Sequence, residues 1–339
     1  MKIRSAIMAG IVVLASIGII VSVIYQSGQS EQENKIRVAF FPTVSHLVPI
    51  VGMETGILAD GLGNQILIEP KIFDSGPQVI EAMFANSVDL AYIGPGPVIN
   101  GFLKSEKHDV KILAGAASGG ASFVIHRDSI INSAADLSGK IIAAPQIGNT
   151  QDVSLRHYLS QNGLVPAEKG GSVVVLNIQN PDIYTLFVKG EIDAAWVPEH
   201  WATRLVQELG GKRLFFEEEL WPEKQFASAL LIGRTSYIEE NPQIIQKWID
   251  ANNKTVIWIN ENPEDSELIF NHFMEKTLGK PLPESVLSES LANIQITSDP
   301  IEESISIFAE RANSLGYLGR HGYDLDGIFY NTISKDDMS

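Results

Sequence analysis

Short runs of aliphatic and β-branched residues alternate with amphipathic stretches along most of this chain. The apolar runs predict strands at 36–41, 66–72, 90–93, 110–114, 122–126, 140–144, 173–176, 194–197 and 227–232. Helical periodicity between them predicts helices at 46–58, 77–86, 97–105, 150–162, 183–189 and 199–209. Strands that alternate with helices predict an α/β fold whose sheets are largely parallel.

The pattern changes after Arg234, where only helical periodicity continues. It predicts helices at 242–260, 264–278, 283–293 and 301–315, with no strand among them. At 339 residues the chain is long enough for two packed units rather than one core. Two α/β blocks imply a cleft between them, and ligands of open α/β sheets bind where strands end and helices begin.

The first 34 residues differ from this body. Lys2 and Arg4 precede an uncharged run over residues 5–25, which has about the length of a membrane-spanning helix. Basic residues on the near side predict a cytoplasmic N-terminus and an exported body. We expect an uncleaved membrane anchor over 5–25 and then a polar tether to residue 34, with a cleaved signal peptide as the alternative.

Composition excludes several classes of function. Apolar residues make up 45% and charged residues 19% of the chain, as in a globular protein. The net charge of −16 argues against a nucleic-acid partner, whose phosphates attract Lys and Arg. The absence of cysteine excludes disulfides, thiolate metal sites and cysteine nucleophiles. No phosphate-binding loop or zinc-protease motif occurs, and the histidines lack metal-ligand spacing, so we expect no metal and no cofactor.

The residues of interest lie in five loops that leave a predicted strand and enter a helix. Backbone N–H groups at a helix start point outward into a positive dipole end, which suits an oxyanion. Each loop taken alone also fits an ordinary capped turn. The candidate ligand-binding residues in the five loops are Thr43, His46, Ser75, Gly76, Gly94, Pro95, Asn149, Thr150, Gln151, Glu199 and His200.

Three of these residues carry more specific expectations. Thr150 is predicted to cap the helix that opens at Gly148-Asn-Thr-Gln-Asp152. Ser75 is predicted to cap the helix that follows it, over residues 77–86. Glu199 has two interpretations, which the sequence leaves open. It is either an early-turn acid that complements a helix dipole, or a carboxylate that pairs with a ligand ammonium.

Taken together, these loops resemble those of the extracytoplasmic substrate-binding proteins of ABC importers, in the nitrate/sulfonate/taurine group. The resemblance is broad, and it is nearest to the binders of aliphatic sulfonates. The segments that carry it are Ser75-Gly-Pro-Gln78, Asp89-Leu-Ala-Tyr-Ile-Gly94, Asp136-Leu-Ser-Gly-Lys140, Gly148-Asn-Thr-Gln-Asp152 and Asp193-Ala-Ala-Trp-Val-Pro-Glu199.

The resemblance implies a type II periplasmic-binding-protein fold with a ligand cleft between two lobes. One lobe would comprise residues 35–120 and 229–330, and the other residues 121–228, with crossing strands near 119–123 and 226–229. Such a protein is a monomer that binds a small alkanesulfonate-, taurine- or nitrate-like solute and delivers it to the transmembrane permease subunits without catalysis. Two alternatives are a binder of a thiamine-pyrimidine precursor and a pyrimidine-synthesis enzyme of related fold, although the latter group looks to need a cysteine-rich segment.

Overall fold

The computed structural model describes residues 35–63, 66–105, 109–319 and 323–330. These residues form two β-sheets, each flanked by helices. The predicted anchor over 5–25 and the tether to residue 34 lie outside the described residues. Within the described part of the chain, no helix is both long enough and apolar enough to cross a membrane.

The first sheet has six strands among the described residues, in the order β11-β4-β10-β3-β1-β2. Their bounds are β1 Lys35–Phe40, β2 Leu67–Ile72, β3 Leu90–Ile93, β4 Val110–Gly119, β10 Ala227–Arg234 and β11 Ile294–Ile296. β1 pairs in parallel with β2 and β3, whereas β10 pairs antiparallel with β3 and β4. All four residues of β3 are buried, which explains why its sequence is a continuous apolar run rather than an alternating one.

The second sheet has five strands among the described residues, in the order β7-β6-β8-β5-β9. Their bounds are β5 Ala121–Ile125, β6 Ile141–Ala144, β7 Val174–Asn177, β8 Ala194–Pro198 and β9 Lys212–Phe216. β6 is parallel to β7 and β8, and β5 is antiparallel to β8 and β9. The carboxyl ends of β6, β7 and β8 therefore meet at one edge, and a helix begins after each of them.

Helices cover both sheets. Their bounds are α1 Leu47–Glu54, α2 Ile57–Leu62, α3 Gly76–Phe84, α4 Pro95–Lys104, α5 Thr150–Gln161, α6 Asn180–Lys189, α7 Trp201–Gln207, α8 Thr235–Glu240, α9 Pro242–Glu261, α10 Pro263–Leu278, α11 Glu284–Ala292 and α12 Glu302–Ser314. The single helix predicted over 46–58 is wrong. Gly56 adopts a left-handed conformation with φ +80°, and this ends α1 and starts α2.

Two strands were missed by the sequence pattern. β9 opens with Lys212 and Arg213 and lies at the edge of the second sheet, so it lacks the apolar run of a central strand. β11 has only three residues between α11 and α12, and it pairs with the end of β4. The prediction that the region after Arg234 is all helical is therefore wrong at one place, the short edge strand β11.

The chain passes between the sheets twice. It first leaves β4 through Gly119 and Gly120, which have φ +73° and +72°, a conformation that favours glycine. It returns between the end of β9 and the start of β10, through two short 3₁₀ turns, Glu217–Leu220 and Pro222–Lys224. The two passages are adjacent, since the backbone N–H of Gly119 donates to the carbonyl oxygen of Phe226 at 3.1 Å, and β11 lies beside them, since Ile294 pairs with Gly119.

Candidate functional site

A cavity of about 170 Å³ lies between the two sheets, where strands of both end and helices begin. It has walls from both sheets, as the strand-end loops predicted. The lining residues from the first sheet and its helices are Phe41, Pro42, Thr43, Ser45, His46, Phe73, Asp74, Gly94, Ser228 and Leu278. Those from the second are Pro145, Asn149, Thr150, Gln151, Gln179, Asn180, Pro181, Pro198 and Trp201.

The start of α5 forms one wall, but its cap differs from the expectation. Asn149 is the N-cap, and its side-chain oxygen accepts a hydrogen bond of 3.0 Å from the backbone N–H of Thr150. The predicted Thr150 cap is therefore wrong, because the neighbouring amide already fills that position. The Thr150 hydroxyl is instead buried at the cavity without a hydrogen-bond partner. A buried hydroxyl left unpaired destabilises the fold, so this oxygen is available for a ligand.

Two further serine hydroxyls share this condition. Ser228 on β10 lines the cavity, and its hydroxyl is buried without a partner. Ser75 stands at the N-cap of α3 as predicted, but its side chain makes no capping hydrogen bond and is likewise buried and unpartnered. Ser75 and Gly76 do not line the cavity; the preceding residue Asp74 does. Gly76 instead lies tight against the ring of Pro97, with no room for a side chain.

Gly94 brings the two sheets together at the cavity. A Cβ atom added to Gly94 would overlap the Thr150 hydroxyl oxygen and lie 3.4 Å from the carbonyl oxygen of Ser228. Close by, a Cβ on Gly96 would lie 3.1 Å from the carbonyl oxygen of Gly148. The start of α4 and the start of α5 are therefore in direct contact. Pro95 is buried behind this contact and does not line the cavity.

His46 lines the cavity as a neutral imidazole. Its Nδ1 atom accepts a hydrogen bond of 3.2 Å from the backbone N–H of Phe41, and the two rings lie 4.4 Å apart. Burial lowers the pKa of His46 to about 3. A neutral imidazole that accepts at Nδ1 carries its proton on Nε2, so that atom serves as a donor. Beside it, the hydroxyls of Thr43 and Ser45 lie 3.0 Å apart and share one hydrogen bond.

Glu199 lies behind the cavity rather than in its wall. Its carboxylate is fully buried, and it accepts bonds of 2.9 Å each from Arg213 Nη2, Asn293 Nδ2 and the backbone N–H of Thr203. These partners occupy the carboxylate, so the structure leaves it no role toward a ligand ammonium. The bond to the first turn of α7 agrees with the helix-dipole interpretation. His200 is also buried away from the cavity.

Part of the cavity wall comes from a strand-end loop that was not among the five predicted. Gln179, Asn180 and Pro181 come from the loop after β7, which also runs from a strand into a helix. The Asn-Pro pair after an apolar run was the available signal, because proline suits a first helical position. Asp74 was passed over beside the more conspicuous Ser75 and Gly76. Among the described residues, Asp74 is the one charged side chain of the lining, and it is exposed at the rim.

The buried histidines are expected to make the folded protein sensitive to acid. Burial lowers the pKa of both His46 and His200 to about 3, whereas histidine in an unfolded chain titrates near ~6.5. Between these values the unfolded state binds more protons. The stabilisation is therefore complete above about pH 6.5, and it falls by up to about 1.4 kcal/mol per pH unit for each histidine as the pH drops.

Urea unfolding between pH 7 and 4.5 measures this slope. In His200→Gln, the free energy of unfolding should fall less steeply with decreasing pH than in the wild type. The exposed His272 provides a matched control, and His272→Gln should keep the wild-type slope. Equal slopes in wild type and His200→Gln would contradict the assignment.

Comparison with known proteins places the chain in a family. The model of the NMT1-like family matches residues 29–271, well over half of the sequence. The chain belongs to this family. A putative binding protein of Brucella abortus is 27% identical over 71% of this chain and 76% of its own length. The putative aliphatic sulfonates-binding protein of Bacillus subtilis is 24% identical over 81% of this chain and 80% of its own length.

Other relatives are named as taurine-binding and nitrate/nitrite-binding proteins. The resemblance to the nitrate/sulfonate/taurine group is therefore confirmed, and so is the expectation of a binding protein rather than an enzyme. Among solved structures, the alkanesulfonate-binding protein SsuA of Xanthomonas axonopodis pv. citri, bound to MOPS, has a TM-score of 0.71 at 18% identity. The match covers 85% of this chain and 96% of that one, and it confirms the two-sheet periplasmic-binding-protein fold.

Proposed function

We propose that this NMT1-like protein is the solute-binding component of an ABC importer and captures a small zwitterion that carries a sulfonate and an ammonium group. The observation that carries this proposal is the pair of buried, unpartnered hydroxyls of Thr150 and Ser228, two residues that line one cavity from opposite sheets. A sulfonate oxygen supplies the acceptor that these hydroxyls lack. The N–H groups at the start of α5 and the Nε2 donor of His46 add to the same oxyanion site.

The charge of the wall favours a zwitterion over a plain anion. His46 is neutral, and the described lining contains no Lys or Arg, whereas Asp74 brings a carboxylate to the rim. Asp74 would repel nitrate or a simple alkanesulfonate and attract an ammonium. We therefore assign to Asp74 the ammonium contact that the sequence had suggested for Glu199.

The two sheets with their helices would act as two lobes, predicted as residues 35–120 with 229–330 (lobe 1) and residues 121–228 (lobe 2). Because β10 begins at Ala227 in the first sheet, we count residues 227 and 228 with lobe 1. Closure of the lobes about the two chain passages would enclose the solute, and the closed form would deliver it to the transmembrane permease subunits. The body would act as a monomer outside the cell membrane. Residues 5–25 would anchor it there, or would be removed as a signal peptide.

Calorimetry with taurine, ethanesulfonate and nitrate tests the proposal on the body from Lys35. We expect taurine to bind most tightly. Thr150→Val removes one hydrogen bond to the sulfonate and should weaken taurine binding by at least about tenfold, since a bond to a charged group contributes roughly 1.5–3 kcal/mol. Its thermal stability should not fall, because the lost hydroxyl has no partner in the free protein. Asp74→Asn should narrow the preference for taurine over ethanesulfonate.

The matched control is Thr55→Val, whose hydroxyl bonds within α1 to the carbonyl oxygen of Val51 and lies outside the lining. Its taurine affinity should equal that of the wild type. Tighter binding of nitrate than of taurine, or an unchanged affinity in Thr150→Val, would refute the proposed solute class.

A second candidate is a pyrimidine ring of the thiamine-precursor class. Phe41, Phe73 and Trp201 line the same cavity and offer planar faces for stacking. A hydroxymethylpyrimidine included in the same calorimetric series separates the two candidates. Its binding would be abolished by Trp201→Ala and would be insensitive to Asp74→Asn.

A further inference from the structure

Asp152 links the ligand loop to its surroundings through four hydrogen bonds. Its Oδ2 atom accepts from the backbone N–H of Gly148 at 2.9 Å and from the Tyr317 hydroxyl at 2.7 Å. Its Oδ1 atom accepts from Arg156 Nε and Asn177 Nδ2, both at 2.7 Å. The carboxylate is fully buried and thus fixes the turn that presents Asn149 and Thr150 to the cavity.

Three of these four donors belong to lobe 2, but Tyr317 belongs to lobe 1. Tyr317 follows the end of α12, where its backbone N–H donates to the carbonyl oxygen of Ala312 at 3.0 Å. Its half-buried ring packs against the core of the first sheet. Tyr317 is therefore packed on lobe 1 while its hydroxyl bonds to the ligand loop of lobe 2.

The surrounding contacts also join the two lobes. Lys169 of lobe 2 donates through its ammonium group to the carbonyl oxygen of Leu315 at 3.3 Å. Gly96 of lobe 1 also lies against the carbonyl oxygen of Gly148 in lobe 2. The Tyr317–Asp152 bond thus joins the two lobes beside the start of α5. Helices α12 and α5 also contact the second passage, since Arg311 of α12 donates to the carbonyl oxygen of Leu220 at 3.0 Å and Ser154 of α5 donates to Glu217 at 2.5 Å.

We propose that Tyr317 is a positioning residue for solute capture, which holds the ligand loop of lobe 2 against lobe 1 through Asp152 and so stabilises the closed cleft. This inference rests on the proposed function. The same carboxylate shapes the loop that touches the solute and accepts the bond that closes the lobes. Asp152 therefore links closure of the lobes to the geometry of the ligand loop. Loss of the Tyr317 hydroxyl destabilises the closed cleft, and the solute then dissociates faster.

Cross-linking of the ligand-free protein measures closure without any solute. Lys104 of lobe 1 and Ile147 of lobe 2 are exposed and line one groove between the lobes. Because the chain has no cysteine, Lys104→Cys with Ile147→Cys creates a unique pair for a short bismaleimide. The rate of cross-linking follows the closed population, and we expect Tyr317→Phe to lower it about tenfold, the ratio for one lost bond to a charged group.

The matched control is Tyr184→Phe, which removes a tyrosine-to-carboxylate bond of 2.6 Å to Glu208 that lies wholly within lobe 2. It should leave the cross-linking rate unchanged. An unchanged rate in Tyr317→Phe, or an equal fall in both variants, would overturn the proposal. Circular dichroism verifies that each variant is folded, and a fall in melting temperature without a change in rate would also reject the positioning role.

Stopped-flow release of bound taurine gives the second measurement. Tyr317→Phe should dissociate about tenfold faster than the wild type, with little change in the association rate. If the wild-type protein binds none of the tested solutes, the proposed function fails, while the cross-linking rates still decide whether Tyr317 holds the cleft closed.

Discussion

Gly94→Ala is expected to weaken solute binding by about 2 kcal/mol, or roughly 30-fold, the usual cost of one methyl group forced into a packed contact. The added Cβ would overlap the Thr150 hydroxyl oxygen when the starts of α4 and α5 meet. The closed cleft cannot form unless the Thr150 side chain rotates or one of these loops moves. The backbone of Gly94, at φ −71° and ψ 162°, is one that alanine adopts without strain.

Gly94→Ala should therefore change taurine affinity without lowering thermal stability. Its affinity for taurine in calorimetry should fall, whereas its melting temperature without solute should hold or rise slightly, because alanine restricts the unfolded chain more than glycine does. Because it opposes closure, Gly94→Ala should also slow cross-linking between the cysteines introduced by Lys104→Cys and Ile147→Cys. The double variant Gly94→Ala with Thr150→Ala removes the overlapping oxygen and should restore the cross-linking rate. Wild-type affinity in Gly94→Ala would show that the observed contact is not part of the bound state.

Arg213→Met is expected to destabilise the fold by about 3–5 kcal/mol, because it leaves a buried carboxylate without its cation. Glu199 is fully buried, and the Arg213 guanidinium lies 2.9 Å from its Oε1 atom. The same guanidinium contacts Ser122, Thr203 and Glu289, so it also joins lobe 2 to α11. Chemical denaturation at pH 7 measures the loss, and Arg127→Met, which removes an exposed pair with Asp128, should change stability by less than about 1 kcal/mol.

The pH dependence of the stability of Arg213→Met tests whether the unpaired Glu199 carboxylate causes the loss. Burial already raises the pKa of Glu199 against the opposing effect of Arg213, and loss of that cation raises the pKa further. A folded-state pKa above the unfolded value means that the folded state holds the extra proton. The deficit of Arg213→Met should thus be largest at high pH and narrow as the pH falls toward the ordinary carboxyl range. Full stability with lost taurine affinity would instead place Glu199 at the solute.

The location of the site was predictable because it depends on chain order. Strands such as 90–93 and 194–197 are continuous apolar runs, and each is followed by a residue that starts a helix. Parallel strands bring such ends to one edge, so Thr43, His46, Gly94, Asn149, Thr150 and Gln151 were placed on one cavity from sequence alone. Whether they bind the solute stays a prediction.

The roles within those loops were not predictable, because they depend on contacts between distant residues. Asn149 and Thr150 are adjacent and equally able to cap, and only the turn geometry chooses Asn149. Glu199 pairs with Arg213 and accepts a hydrogen bond from Asn293, which is 94 positions away. Asp152 likewise meets Tyr317 across 165 positions. No periodicity in the sequence records such pairings.

The position of β10 has a consequence for how the protein folds. β10 lies between β3 and β4, although more than a hundred residues separate it from either in the chain. Until residues 227–234 have been synthesised, β3 and β4 each keep an open edge, and long-range pairing of this kind is slow. The second sheet uses only strands between residues 121 and 216. We expect the inserted lobe to fold first as the chain emerges, and the lobe that contains both ends of the described body to fold last.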